Sequence, residues 1–553
     1  MLKNKTFLML ALLIPFLSSA PAELKAAASL ETPGINASEV EKESQTENQA
    51  EIQQQETPNY DAEQNPKFAI GNIKLTSDEI EIRDYSSILA SYENREVTMA
   101  ELNDLSRILT KDLRSNGYPA STIYVPNQSF TQGGELILAV EPGHYGEITI
   151  DNQSKLPTSK VKGYFARLKK GEIIRSKELE SAMNKLTSVG GIRAAGLFAA
   201  GKENGTADLS IKIQNGKKAT EILYAENYGT KSAGRYRYVL QGDVQFSEVA
   251  GTLNYALVFS NKDQHNYNLG YSQLLGHSAT RLGLNISRSD YELGGAYRAL
   301  GAEGDALTFG LSGSTPIYNT WKESFNFNYG YNYRKLEDEQ KAFDVNMKKH
   351  SYSVYAGFDG MLRDSKSYLD YQLTYTAGRL KFDNDWARYV YGASNTEGNF
   401  NKVNLNARYI QTFNRKFDLQ VKFAGQRANS NLDGSEEIVL GGINGVRAYP
   451  TGVGSGDDGY VTNIELRYRT RTPGLIFSTY FDMGHVKVTH DSDMPSAGGE
   501  TAKGWGIGLN YTKPGDYFIR LDYARRIGSL DYYENSEDVK DKGRFWFMLG
   551  KVF

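Results

Sequence analysis

Side chains able to do covalent or metal chemistry are few and scattered in this sequence. Cysteine is absent, which removes disulfide frameworks, thiolate metal sites and cysteine nucleophiles together. The six histidines, at 144, 265, 277, 350, 485 and 490, lie far apart and form no HExxH pair. They read as surface imidazoles, or ones lining an internal channel, rather than as a zinc site. No GxSxG nucleophile elbow occurs. Gly454-Ser-Gly456-Asp-Asp-Gly459 fits GxGxxG, but no βαβ unit surrounds it, and two aspartates there would repel a pyrophosphate. Asp491 and Asp493 read as solvated loop charges. The expectation is therefore a protein that is no enzyme, with no catalytic residue, cofactor or metal. Two stretches dense in charge, glycine and aromatic residues remain. One is Leu440-Gly-Gly-Ile-Asn-Gly-Val446-Arg447-Ala448-Tyr449-Pro450, continuing through Gly456-Asp-Asp-Gly459 to Asn463-Ile-Glu465-Leu-Arg467-Tyr468. The other is Phe481-Asp482-Met-Gly484. Such residues bind and position by charge-assisted hydrogen bonds.

The elements that must position them follow from composition. A chain of 553 residues implies two or three units. Lys+Arg at 63 against Asp+Glu at 66 offers no electrostatic case for a dedicated nucleic-acid binder. Mean hydropathy is −0.51, and no 18-residue apolar run occurs outside the extreme N-terminus, which excludes a polytopic helical membrane protein. Tyr 37 and Gly 54, with only 14 prolines, fit a large β-sheet protein with half-polar strands. A transmembrane β-barrel has that make-up, because lipid and lumen faces alternate along each strand.

Residues 1–22 read as a secretory signal peptide. Lys3 and Lys5 precede an apolar run from Phe7 to Leu17, and Ala20-Pro21-Ala22 offers the cleavage site. The run is too short to span a bilayer, so an exported mature chain is expected. Residues 23–66 are polar. Within them, 38–55 is rich in helix formers, with Ser38 as a possible N-cap and Pro58 as a stop. That segment is either a disordered linker, which composition favours, or a polar helix lodged as a plug in a polar cavity.

Residues 67–142 and 143–216 show the same β-α-α-β-β order. In the first, Phe68–Leu75 reads as a strand and Asp84–Tyr92 and Thr98–Asn116 as helices. Leu102, Leu105, Ile108, Leu109 and Leu113 recur at helical spacing, and Gly117 closes the helix. Strands Ser121–Val125 and Glu135–Val140 follow. In the second, helices Thr158–Leu168 and Ser176–Leu186 lie between a strand at Ile148 and Ile150 and strands Ile192–Phe198 and Ala207–Ile213. The order alone leaves open an unrelated α+β domain.

Residues 217–553 alternate with period two to the C-terminus. Val403, Leu405, Ala407 and Tyr409 interleave with Asn404, Asn406 and Arg408, and Phe417 to Phe423 behave alike. A soluble sandwich would show the same periodicity. Strand number and turn lengths choose between them. About sixteen strands are expected, an even count that suits a bacterial outer-membrane barrel. Short links near 247–250, 414–415, 471–473 and 513–515 alternate with long polar ones at 290–304, 334–349, 381–400, 427–459, 487–501 and 528–542. That is the pattern of periplasmic turns and extracellular loops.

The two motif stretches, their order and the domain plan resemble the two-partner secretion transporters. This is the TpsB family of FhaC/ShlB/HecB-like haemolysin secretion/activation proteins, in the superfamily that includes BamA. The resemblance spans the mature chain after the linker. It implies a mainly β fold: a 16-stranded antiparallel transmembrane barrel preceded by two periplasmic POTRA domains. It also implies a loop that folds back into the lumen between strands eleven and twelve, and a buried aspartate on strand thirteen. The loop motif here is Val446-Arg447-Ala448-Tyr449, with Ala448 where the superfamily usually has glycine. The strand-thirteen motif is Phe481, Asp482 and Gly484. With Phe477 and Phe481 toward lipid, alternation turns Asp482 into the lumen, where Arg447 is expected to pair with it. Asn463, Glu465 and Arg467 share the lumen face and extend that network. Phe553 closes an alternating last strand and resembles the signal read by the outer-membrane assembly machinery, although Lys551 departs from an all-apolar face.

The implied function is an outer-membrane translocase of a Gram-negative-type bacterium. It would export a large TpsA-type exoprotein, haemolysin- or adhesin-like, with an N-terminal secretion domain. POTRA domains capture the cargo and the barrel is the pore. The implied partners are that protein, outer-membrane lipid and the assembly machinery, with no nucleic acid. The alternatives are a BamA-like insertase, which two POTRA units rather than several argue against, and a passive porin, which any POTRA unit argues against.

Overall fold

The computed structural model describes residues 67–129, 131–491, 499–528 and 541–553. The expected signal peptide (1–22), the polar segment 23–66 and its candidate helix 38–55 lie outside them, as does Asp493. The chain divides into two units, one ending at Gly216 and the other running from Lys217 to Phe553.

The first unit begins with β1 (Lys67–Thr76), a single helical turn (Ser86–Leu89) and β2 (Arg95–Thr98). The helix Met99–Ser115, β3 (Thr122–Tyr124) and β4 (Gly134–Glu141) follow. The sheet runs β2-β1-β4-β3, with β1 and β4 parallel. The long helix starts at a capping box. Thr98 Oγ1 accepts from Glu101 N–H at 3.3 Å, and the Glu101 carboxylate accepts from Thr98 N–H at 2.7 Å. Leu102, Leu105, Leu109 and Leu113 form its buried stripe, while Ile108 faces outward. At its end Gly117 takes φ +115°, and Tyr118 N–H reaches the Leu113 carbonyl at 3.3 Å, a Schellman closure.

The expected helix Asp84–Tyr92 shrinks to one turn, and β2 was not anticipated. Asn94 turns the chain with φ +56°, after which 95–98 pairs antiparallel with Lys67–Ile70 and buries Val97. Two buried residues of the turn, Tyr85 and Leu89, kept the pattern looking helical until that sheet edge claimed the chain.

A second sheet, order β5-β7-β6, is built from β5 (His144–Asn152), β6 (Ile192–Ala200) and β7 (Thr206–Asn215). Helices Thr158–Tyr164 and Ser176–Thr187 lie between β5 and β6. Strand β6 pairs only with β7, so its other edge is free within this sheet.

The barrel has sixteen strands, each antiparallel to its neighbours. They are β8 (Ala219–Glu226), β9 (Arg237–Phe246), β10 (Gly251–Ser260), β11 (Gln264–Leu275), β12 (Thr280–Glu292), β13 (Ala302–Asn319), β14 (Glu323–Gln340) and β15 (Val345–Arg363). The remainder are β16 (Ser367–Phe382), β17 (Gly398–Thr412), β18 (Phe417–Ala428), β21 (Asp458–Arg469), β22 (Leu475–Lys487), β23 (Gly499–Thr512), β24 (Tyr517–Arg526) and β25 (Gly543–Val552). Two short strands, β19 (Ile438–Val439) and β20 (Ser455–Gly456), pair within the connection between β18 and β21.

The outer face settles sandwich against membrane barrel. Leu282, Leu284 and Ile286 on β12 stand opposite Gly313, Leu311 and Phe309 on β13, and the five apolar side chains of that outward row are all exposed. A soluble protein would bury such a row; a lipid-facing wall presents it. Closure is completed by β25 and β8, which share only the register from Met548↔Glu226 to Val552↔Ile222. The Asn227 carboxamide extends that seam by accepting from Phe547 N–H at 2.8 Å and donating to the Phe545 carbonyl at 2.9 Å.

Two expected loops are shorter than the sequence implied. The polar stretch 334–349 is mostly strand, because β14 and β15 continue to a tight link at 341–344. Its charges pair across the hairpin, as in Glu337 with Lys348 at 2.9 Å. Beyond them Val345 and Met347 bury against Leu380, Phe382, Ala387 and Val390. The segment 290–304 likewise narrows to the link between Glu292 and Ala302.

Candidate functional site

The connection 429–457 leaves the end of β18 and turns into the lumen. Its base is a charged clamp. Asp433 pairs with Lys349 of β15 at 2.7 Å, and Glu436 with Arg334 of β14 at 3.2 Å and Lys402 of β17 at 2.7 Å. Its tip, Val446 to Tyr449, lies against the opposite wall of β21 to β25. The loop therefore spans the lumen and is held at both sides.

The tip's backbone is shaped by glycines that no other residue could replace without strain. Gly442 takes φ +115°, and a Cβ on Gly445 would fall 2.2 Å from the Leu440 carbonyl oxygen. This tight turn lets Leu440, Val446 and Tyr449 bury together against Val461, Val486, Ala502 and Ala524.

Arg447 is 3% exposed at the centre of this contact. Its Nε and Nη2 donate to the two carboxylate oxygens of Asp482 at 2.9 and 2.8 Å, a bidentate pair, and its backbone N–H adds a third bond at 3.1 Å. Its Nη1 donates to Glu465 at 2.9 Å and approaches Asp522 at 3.4 Å. Asn463 Nδ2 bridges Asp482 and the Gly445 carbonyl, both at 2.9 Å. The guanidinium carbon lies 3.2 Å from the centre of the Tyr480 ring, and Trp546 Nε1 donates to the Arg447 carbonyl at 2.7 Å. The last strand of the barrel thus grips the loop directly.

Among the residues singled out from sequence, the structure brings Arg447, Asp482, Asn463 and Glu465 together. Val446, Ala448 and Tyr449 are buried beside them, and Phe481 is exposed on the lipid face. Arg467 does not join: it pairs with Asp418 at 2.5 Å and donates to Gln420 at 3.1 Å, toward the short-turn rim. It shares the lumen parity of Glu465 but sits one pleat too far from the loop. Phe553 lies on the outer face, its N–H bonded to the Glu221 carbonyl at 2.8 Å, away from the network. Gly484 has a steric reason to be small, since a Cβ there would meet Leu440 Cδ1 at 2.6 Å and the Tyr460 carbonyl oxygen at 2.8 Å.

Tyr480, Asp522 and Trp546 were not anticipated. Each lies on the lumen parity of its strand, so alternation marked them as inward, but nothing in the sequence tied them to Arg447. Arg520 completes the cluster by pairing with Asp522 at 2.8 Å. Beside it lies a cavity of about 760 Å³ whose wall includes Arg408, Lys422, Glu465 and Arg520. Its lining is mainly polar and charged, which suits water and hydrated groups better than an apolar ligand. No group of His, Asp and Glu among the described residues forms a metal site.

Ala448 meets Gly504 across this interface. Gly504 lies opposite Asp482 in register, and a Cβ on it would sit 2.5 Å from the Ala448 methyl. Gly504→Val is therefore expected to push the tip from its seat without breaking the strand ladder. Loop cleavage by external protease, with heat-modifiability as the fold control, measures this; wild-type protection would refute the packing argument.

Comparison with known proteins places these features in context. The family described as haemolysin secretion/activation protein ShlB/FhaC/HecB matches residues 205–511, and the ShlB-type POTRA domain matches residues 68–143. The heme/hemopexin transporter protein HuxB of Haemophilus influenzae is 27% identical over 505 residues, covering 88% of this chain and 87% of that protein. The outer membrane transporter CdiB of Dickeya dadantii is 24% identical over 477 residues, covering 81% of each. Among solved structures, CdiB from Escherichia coli superposes with a TM-score of 0.65 at 19% identity, covering 90% of this chain and 93% of that one. BamA from Haemophilus ducreyi, lacking its first three POTRA domains, gives 0.50 at 15% identity, covering 88% and 100%. These two structures show a shared fold.

Proposed function

Because the chain belongs to the haemolysin secretion/activation protein family ShlB/FhaC/HecB, we propose that it exports one large partner exoprotein by two-partner secretion. The barrel lies in the outer membrane of a Gram-negative-type bacterium, with POTRA domains in the periplasm. The family is one of secretion and transport proteins, and such a system includes a secreted partner protein. The cargo is of the TpsA type, haemolysin- or adhesin-like, with an N-terminal secretion domain.

The observation that carries this reading is the loop held across the lumen by ion pairs at both sides. A passive porin needs an open lumen. Here the lumen is obstructed by a segment whose bonds are polar, specific and reversible. These charged groups border a polar cavity, so water can take the place of their partners once the loop moves, at a cost set by their burial.

Capture is assigned to the free edge of β6. Edge strands that avoid pairing carry proline or several charges. This one, Ile-Arg-Ala-Ala-Gly-Leu-Phe-Ala-Ala from Ile192, has no proline and a single charge, Arg193. An extended cargo segment gains main-chain hydrogen bonds there and side-chain contact with exposed Leu197. Export needs no nucleotide, since folding of the cargo outside the cell draws the chain outward. Family membership supports secretion over barrel insertion. Phe553 is proposed as the assembly signal.

The test is co-expression in a host lacking the system. A co-expressed candidate partner, a large exoprotein with an N-terminal secretion domain, is expected in the medium when the chain is present and in the periplasm when it is not. Equal release in both cases would reject the assignment.

A further inference from the structure

The rim of short turns carries an excess of positive charge that the lumen network does not use, with Glu323, Asp364 and Asp516 among its acidic residues. Five successive turns join β13 to β14, β15 to β16, β17 to β18, β21 to β22 and β23 to β24. On or beside them stand Lys322, Arg363, Lys366, Arg415, Lys416 and Arg471, all exposed. None of these six has a carboxylate within ion-pair distance among the described residues, whereas Arg469 pairs with Asp418 at 2.9 Å and Lys513 with Asp516 at 2.7 Å. The remaining turns of this rim, 247–250 and 276–279, hold Glu248 and His277 and no lysine or arginine. The basic surface is an arc, not a ring.

Just inside the arc the outward face is aromatic. Phe417, Tyr468 and Phe477 are register partners on three adjacent strands, all exposed, with the first two rings 5.1 Å apart. Tyr318, Phe325 and Phe358 continue the belt, with ring separations of 5.7 and 5.0 Å. Trp321 and Phe413 are exposed in the turns themselves, and the Arg363 guanidinium lies 5.4 Å from the Tyr368 ring centre. Aromatic belts mark the depth where hydrocarbon gives way to headgroups. Cations one step beyond the belt are therefore at headgroup depth. Outnumbering the carboxylates and unpaired with them among the described residues, these cations repel one another, and an anionic headgroup relieves that repulsion.

We propose that this arc is a docking surface for anionic phospholipid headgroups, and that it orders phosphatidylglycerol-class lipids along the β13–β24 side of the barrel. The surface stands apart from the cargo route: it faces outward, it rests on no residue of the loop, and it holds whichever partner the barrel serves. Its attraction is electrostatic, so it weakens as salt rises.

Reconstitution of the full chain with spin-labelled lipids measures it. Spin-labelled phosphatidylglycerol is expected to associate with the protein about threefold more than spin-labelled phosphatidylcholine, a preference that 0.5 M NaCl removes. The combined variant Lys366→Gln, Arg415→Gln, Lys416→Gln and Arg471→Gln should bring the ratio near one while remaining heat-modifiable. A matched variant toward the opposite rim, Lys231→Gln, Arg298→Gln, Lys335→Gln and Lys381→Gln, should keep the preference. Equal loss in both variants would mean that only net charge matters, and would overturn the arc. A wild-type ratio of one would also overturn it. So would an unchanged lipid ratio in the first variant accompanied by lost export, since that result assigns the arc to a protein partner.

Discussion

Arg447→Ala is expected to free the loop from its seat, read as cleavage by external protease, while leaving an assembled, heat-modifiable barrel. The expectation follows from what the substitution leaves behind. Asp482, Glu465 and Asp522 all face the guanidinium, and only Arg520 remains near them as a paired cation. Removing one partner of a buried ion pair costs about 3–5 kcal/mol, because the other charge stays desolvated. That shifts the balance of docked to released loop by roughly 10²- to 4 × 10³-fold. The barrel survives, since its ladders of main-chain hydrogen bonds do not pass through the loop. Asp482→Ala should act in the same direction but less strongly. Arg447 would keep Glu465 and Asp522, whereas no cation replaces Arg447. The double variant should be no worse than Arg447→Ala. Cleavage of the loop by external protease is the readout. Simple additivity of the two substitutions would mean that the side chains do not act as a pair.

Deleting residues 67–216 is expected to eliminate export entirely and again to leave a heat-modifiable barrel. Each strand of the closed barrel finds its partners between Ala219 and Val552, so no hydrogen bond of that sheet comes from the deleted part. What is lost is the free edge of β6 and the whole β2-β1-β4-β3 sheet. Partner exoprotein in the medium is the measurement, with barrel assembly followed by heat-modifiability. Continued export by the truncated chain would reject a receptor role for these domains and would place cargo recognition on the barrel itself.

Both expectations rest on features of unequal legibility. Period-two alternation turns a side chain in or out by parity alone, so Asp482 could be read as inward from Phe477 and Phe481. The sixteen strands followed from the same rule, and so did the long helix of the first unit from its leucines. The first helix of that unit did not. Tyr85, Leu89 and Val97 bury through one helical turn and one edge strand, and a short apolar pattern cannot distinguish that from a helix. The hairpin at 334–349 was missed for a related reason. Alternating charges in a single strand look like a loop until the facing strand supplies the opposite sign, as Lys348 does for Glu337.

The sequence by itself determined the class of molecule. Composition, alternation and turn lengths specified an exported barrel behind small α/β units, because lipid, lumen and periplasm each impose a local pattern on the chain. It also determined which residues face inward. Only the tertiary structure decided which of them meet. Parity says nothing about height along the wall, so Glu465 and Arg467 looked equivalent, yet one binds Arg447 and the other Asp418. Nor could a linear pattern bring Trp546 on the last strand to the carbonyl of Arg447, 99 residues earlier in the chain. That contact exists because barrel closure places the end of the chain beside a loop from its middle, and closure is a property of the whole sheet rather than of any strand in it.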